Sequence, residues 1–211
     1  MKLLREYIRE LLTESAGIDP SVMKLIDQAE AAGYYVEVGG TKSGKGVVYI
    51  YGDNENGSRN KVGAVSWYQN GRGIEGLPIG PCSQASIVNY AQVFEGFELL
   101  AYDVAIEASG GLTSDRTEVS REEESIWNTY MTSRPDVMVS QLDILDRLPP
   151  GSASDRRPSQ LNPDDRSADC DQYVAIKRNK KQWHTSPLSK AYKKSGSPVM
   201  DELRRRGMLR E

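Results

Sequence analysis

Apolar and polar positions along this chain follow two periods, and the switches between them predict its elements. Residues 2–13 place Leu3, Leu4, Tyr7, Ile8, Leu11 and Leu12 on one stripe of a helix, with Lys2, Arg5, Glu6, Arg9 and Glu10 on the other side. Arg5/Arg9 and Glu6/Glu10 are like-charged at i,i+4, and so short a helix is marginal alone in water, so its stripe must dock on something. Asp19-Pro20 supplies an N-cap and a first-turn proline, and Gly33 a stop, which predicts a helix over 20–32. The period then becomes two. Tyr34 to Val38, Gly46 to Tyr51 and Val62 to Tyr68 are β-rich runs separated by turn residues such as Asp53-Asn54-Glu55-Asn56-Gly57 and Asn70-Gly71. They predict an antiparallel meander, with Ala85 to Gln92 as a fourth strand. A glycine turn at Gly96 leads into a helix over 97–108 that ends at Gly110-Gly111, and a strand follows over 111–116. Ser120-x-x-Glu123 is a capping box opening a helix over 121–132, which Arg134-Pro135 terminates before a strand at Val137 to Leu142.

From 148 to 171 the composition turns to Pro, Ser, Asp and Arg with almost nothing to bury, which predicts a polar surface excursion. The chain therefore divides into an amphipathic leader or docking helix at 1–14, an α/β domain at 15–147, the excursion at 148–171, and a C-terminal wrapping segment at 172–211. That last segment offers a strand at Tyr173 to Lys177 and a short helix from Pro198. The length of 211 residues suits one domain with appendages. A net charge of −3 and a pI near 5.4 give no footprint for nucleic acid, so no nucleic-acid partner is expected, and the basic residues that crowd the C-terminal end read as solvated faces and loops. Mean hydropathy is −0.57, and no apolar run reaches the roughly 20 residues a membrane span needs.

Few residues could carry chemistry. Cys82 and Cys170 are too few for a disulfide framework and read as free thiols. The single histidine, His184, sits in a polar segment, and no spacing resembles a zinc site. Gly39 to Gly46 nearly matches a phosphate loop, but Gly46 leaves no hydroxyl for magnesium and the loop enters a strand rather than a helix. A hairpin connection is the better reading.

The stretch from Val93 to Met131 is different. Its order of strand, glycine turn, helix, strand and second helix can present backbone N–H groups at a helix start to an anion. It resembles the cofactor-binding half of the GNAT-type N-acetyltransferases, over roughly residues 20–145 and most specifically over 85–132. That resemblance implies an α/β fold with a GNAT-like mixed, mostly antiparallel, splayed sheet and helices on both faces. It also implies acyl-CoA-dependent N-acyl transfer to a small-molecule or protein amine, with acetyl-CoA as cofactor and no metal. In the family a turn of the form [QR]-x-x-G-x-[GA] binds the pyrophosphate. Here Val93-Phe94-Glu95-Gly96-Phe97-Glu98 takes that place, so Gly96, Phe97, Glu98 and Leu99 are the implied cofactor contacts. Val93 replaces the usual Gln or Arg, and Glu98 replaces a small residue with a carboxylate that opposes pyrophosphate. The family's second helix carries a tyrosine near the departing thiolate. Tyr130 is the implied general acid and Trp127 a further cofactor contact. Ile126, Trp127, Tyr130 and Met131 also fit the core stripe of an ordinary helix. Asp115 is the best candidate for the base, but a pair with Arg116 or a turn cap suits it better. The order departs from the family in having no strand before helix 20–32 and an extra strand after it.

The first 14 residues, ending Leu12-Thr13-Glu14, resemble the capsid-targeting leaders of proteins packaged in the heads of large tailed bacteriophages, which are cleaved after Leu-x-Glu. The whole chain is also similar to GNAT-like proteins of marine phages. These resemblances imply the cytoplasm of an infected host as the place of synthesis, and a phage head or scaffold protein as partner to residues 1–14. They imply the virion as a further location and a second function class, a catalytically silent GNAT-like internal head protein.

Overall fold

The computed structural model describes residues 17–40, 44–53, 58–69, 82, 85–93, 96–142, 170, 172–179 and 182–211. Expectations for the leader at 1–14 and for most of the excursion at 148–171 lie outside them. Asp19 caps helix α1 (Pro20–Ala31), its carboxylate accepting the Ser21 N–H at 2.9 Å, and Val22, Ile26 and Ala29 form the buried stripe. The meander follows as β1 (Tyr34–Gly40), β2 (Lys45–Asp53), β3 (Arg59–Tyr68) and β4 (Ser86–Val93). Helix α2 (Glu98–Ser109) ends at Gly110, whose φ of 71° suits a left-handed cap. Then come β5 (Leu112–Thr113), α3 (Arg121–Ser133), β6 (Val137–Gln141), α4 (Tyr173–Arg178), β7 (Lys190–Lys194), α5 (Pro198–Arg205) and β8 (Leu209–Arg210).

The eight described strands form one sheet in the order β6-β7-β5-β4-β3-β2-β1-β8. Pairs β4–β5 and β1–β8 run parallel and the other neighbours antiparallel, so the sheet is mixed and mostly antiparallel as expected. Residues 172–211 enter this sheet directly, because β7 lies between β5 and β6.

The main core lies on one face. It joins Val36, Val48, Ile50 and Val65 of the strands to side chains from all five described helices. Its centre is aromatic: Trp127 stacks on Tyr192 at 4.9 Å and meets Tyr102 edge-on at 5.0 Å. A smaller cluster of Cys82, Ala85, Ile87, Leu142, Cys170 and Ala191 contains no residue of a described helix, where the resemblance implied helices on both faces.

Three expectations are corrected. Cys82 and Cys170 are not free thiols; they form a disulfide across 88 residues of sequence. Tyr173–Arg178 is a helix, not a strand, with Ala175 and Val174 packed into the main core. The strand expected over 111–116 covers only Leu112–Thr113, because Ser114 turns its hydroxyl to the Leu188 carbonyl at 3.3 Å and the chain leaves the sheet.

Candidate functional site

Two strands that part create a broad recess. β4 and β5 share only the pairs Ser86–Leu112 and Ile87–Thr113. Beyond that fork a groove of about 830 Å³ opens between Ala91, Gln92 and Val93 of β4 and the first turns of α2 and α3. Glu98 and Tyr102 face it from α2, and Glu122, Glu123 and Ile126 from α3.

The glycine turn is tied to the groove through Glu98, which lines it. Gly96 has a φ of 101°, and a Cβ there would meet nothing within 4 Å, so glycine serves the backbone angle rather than a close contact. The Gly96 N–H donates to Glu98 Oε2 at 2.8 Å. Phe97 is half-buried with its ring edge-on to Tyr34 at 5.5 Å, and Leu99 packs against the main core. Phe94 and Glu95 lie outside the described residues. A pyrophosphate does not fit these residues as they stand. The N–H group it would take already holds a carboxylate, and among the described residues Glu98, Glu122 and Glu123 face the groove against one cation, Arg121.

Deeper in the groove, Glu123 Oε1 accepts from the Tyr102 hydroxyl at 3.0 Å and from Trp127 Nε1 at 3.4 Å. Burial raises the Glu123 carboxyl above its ordinary range more than these bonds lower it. Burial, and then the Glu123 charge, hold the Tyr102 phenol well above its ordinary value. Sequence reasoning assigned Glu123 only a capping role and did not single out Tyr102 within its helix. Ser120 does cap α3, accepting the Glu123 N–H at 3.0 Å. The pairing of Tyr102 with Glu123 spans 21 residues and two helices, which no local pattern reveals.

The implied catalytic residues are held elsewhere. Tyr130 is fully buried and donates to Asp103 Oδ1 at 2.6 Å, and burial followed by the Asp103 charge holds its phenol well above the ordinary value. Asp103 in turn receives Arg134 Nη2 at 2.7 Å and Lys194 Nζ at 2.9 Å. Asp115 Oδ1 accepts from Thr117 N at 2.6 Å, Thr117 Oγ1 at 2.5 Å and Glu118 N at 3.4 Å, so it caps a turn. Trp127 is buried in the aromatic centre and reaches the groove only through its bond to Glu123. The structure thus brings Glu98, Tyr102 and Glu123 around one recess, with Gly96 bonded to Glu98, and leaves Tyr130 and Asp115 in structural hydrogen bonds.

No family model, curated protein or solved structure matches this chain. Among the described residues no helix is long and apolar enough to cross a membrane.

Proposed function

We propose that the chain is a GNAT-like protein that performs no acyl transfer and is carried in the head of a tailed bacteriophage, with residues 1–14 as its address. The observation that carries this reading is the Glu98 carboxylate seated on the Gly96 N–H, where a phosphate-bearing cofactor would need both the donor and a favourable field. The bonds that hold Tyr130 and Asp115 support it, since neither side chain offers a free acid or base to the groove. Support for the GNAT-like half comes from the sheet order and from the parallel β4–β5 pair that parts after two residue pairs. Synthesis in the infected cytoplasm followed by packaging places the protein in the virion.

Thermal denaturation with acetyl-CoA and with CoA tests the silence. A ligand that binds only the folded state at about 100 times its Kd adds about 2.7 kcal/mol of stability. No rise in Tm is expected with either compound. Mass spectrometry of assembled particles tests the address: a mature N-terminus at Ser15 is expected, and an intact Met1 in the particle would reject cleavage after Glu14.

A second reading, acyl-CoA-dependent N-acyl transfer to an amine, is favoured by the groove lying at the fork of β4 and β5. Under that reading acetyl-CoA raises the Tm of the wild type, and Gly96→Val abolishes the rise.

A further inference from the structure

The face of the sheet turned away from the main core gathers tyrosines and cations. Across β1 and β2, Tyr35 opposes Tyr51 and Glu37 opposes Tyr49. Across β2 and β3, Tyr51 opposes Lys61, Asp53 opposes Arg59, and Lys45 opposes Tyr68. Tyr90 of β4 opposes Ser66, and Arg210 of β8 opposes Glu37. Directly opposed residues share a face, so the register alone assembles this surface.

Side-chain contacts agree with the register. The Arg210 guanidinium lies 3.5 Å over the Tyr35 ring, Arg59 lies 5.7 Å over Tyr51, and Lys45 Nζ lies 4.7 Å over Tyr68. Tyr49, Tyr51 and Tyr90 belong to neither core cluster and keep part of their rings exposed, whereas Tyr35 is buried beneath Arg210 and Tyr68 packs on the smaller cluster. Tyr90 is 44% exposed, and the Tyr35 hydroxyl is buried with no hydrogen-bond partner among the described residues. On a chain of net charge −3, this face sets four cations against the carboxylates of Glu37 and Asp53.

The geometry points to a binding surface for single-stranded nucleic acid, a role that goes beyond the function proposed above and does not depend on it. Bases present flat π faces that stack on tyrosine rings with little regard to sequence, while interleaved cations follow the phosphates. Arginines over the rings add cation–π attraction and hold the rings in place. A duplex hides its base faces, so the tyrosines distinguish single strands from duplexes where cations alone would not. The net charge of the whole chain does not oppose this, because fields from charges more than about 10 Å away are screened at ordinary salt.

Fluorescence anisotropy of the full chain with a labelled oligo(dT) tests it, using about 20 nucleotides, longer than the roughly 4–16 that a single platform covers. Oligo(dT) binds and a duplex of the same length binds more weakly. With about three phosphate contacts, affinity falls about 20-fold between about 50 and 200 mM salt. The double variant Tyr49→Thr/Tyr90→Thr keeps strand-forming residues and weakens binding about tenfold or more. Lys61→Glu/Arg210→Glu flattens the salt dependence and leaves the helix-side core untouched. Absence of oligo(dT) binding at low salt overturns the proposal. So does equal binding of oligo(dT), duplex and heparin with no loss in the tyrosine variant, which would mark a plain cationic patch. A dimer that the tyrosine variant dissociates, with no affinity for oligo(dT), would assign the face to a second copy and overturn it as well.

Discussion

On the helix side of the sheet, Tyr102, Tyr130 and Tyr192 are buried and each hydroxyl has a fixed partner: Glu123, Asp103 and the Pro187 carbonyl. On the open side, Tyr49, Tyr51 and Tyr90 keep part of their rings in solvent, and a cation lies over Tyr51. Cations divide in the same way. Lys194 is 1% exposed among Asp103, Glu107 and Asp136, whereas Arg59 is 56% exposed beside Glu37. One residue type therefore does two jobs. A buried phenol or ammonium is a strut whose loss strands its partner in a low dielectric, while an exposed one is a contact waiting for an occupant. Because the difference lies in surroundings rather than chemistry, substitutions of the same kind on the two faces should differ sharply.

The largest difference is expected at the cations. Lys194→Ala removes the ammonium that sits 2.9 Å from Asp103 and 3.2 Å from Glu107, and leaves both carboxylates buried. Breaking such a cluster costs about 3–5 kcal/mol. Lys61→Ala on the open face should stay within about 0.5 kcal/mol. Urea denaturation of both variants measures the gap, and equal midpoints would mean that water already reaches Asp103.

Tyr130→Phe comes next. It deletes one oxygen, leaves Asp103 with Arg134 and Lys194, and should cost about 1–3 kcal/mol for the lost buried bond. An unchanged urea midpoint would break the comparison, because a phenol whose bond adds no stability is free to serve another purpose.

Much of the helix side was legible in the sequence. Period and caps placed α1, α2, α3 and α5 to within a few residues, because Asp19-Pro20, Gly110 and Ser120 act locally. The misreading of Tyr173–Arg178 is also local: Val174 and Ile176 alternate like a strand, and six residues cannot show a helical period. The disulfide was illegible because a cysteine count carries no distance, and its partners lie 88 residues apart. In the candidate site, Gly96 and Glu98 stood out through their place in a motif. Tyr102 and Glu123 did not, since their meeting depends on how two helices pack. The open face was hidden by arithmetic. Net charge is a sum over the chain, and only register gathers Lys45, Arg59, Lys61 and Arg210 on one side.

A smaller effect is expected from pH at the groove. Burial raises the folded Glu123 carboxyl above its ordinary 4.5, so below pH 4.5 it is protonated in both folded and unfolded chains. As pH rises past that point the unfolded chain ionises first, and stability tied to this group is lost as pH rises through the folded value. Glu123→Gln does not titrate and keeps an oxygen for the Tyr102 hydroxyl. Its Tm relative to wild type should therefore rise between about pH 4 and 7. Glu107 is also raised by burial, but it is present in both proteins and cancels from the difference. A difference that stays flat or falls with pH would show that the groove is as wet as the unfolded chain.

The smallest change in stability should come from the largest change in atoms. Tyr90→Thr removes an entire ring at a site that is 44% exposed, together with a hydroxyl that, among the described residues, donates to its strand neighbour Gln92. Threonine keeps the strand preference, so stability should move by no more than about 0.5 kcal/mol. Tyr130→Phe removes a single oxygen and should cost more. Measured side by side in urea, that inverted order separates the faces better than any one value, because atom count and residue type both predict the opposite. If Tyr90→Thr instead costs more than Tyr130→Phe, the ring is part of a packed layer. The open face would then be a second core rather than a surface that awaits a partner.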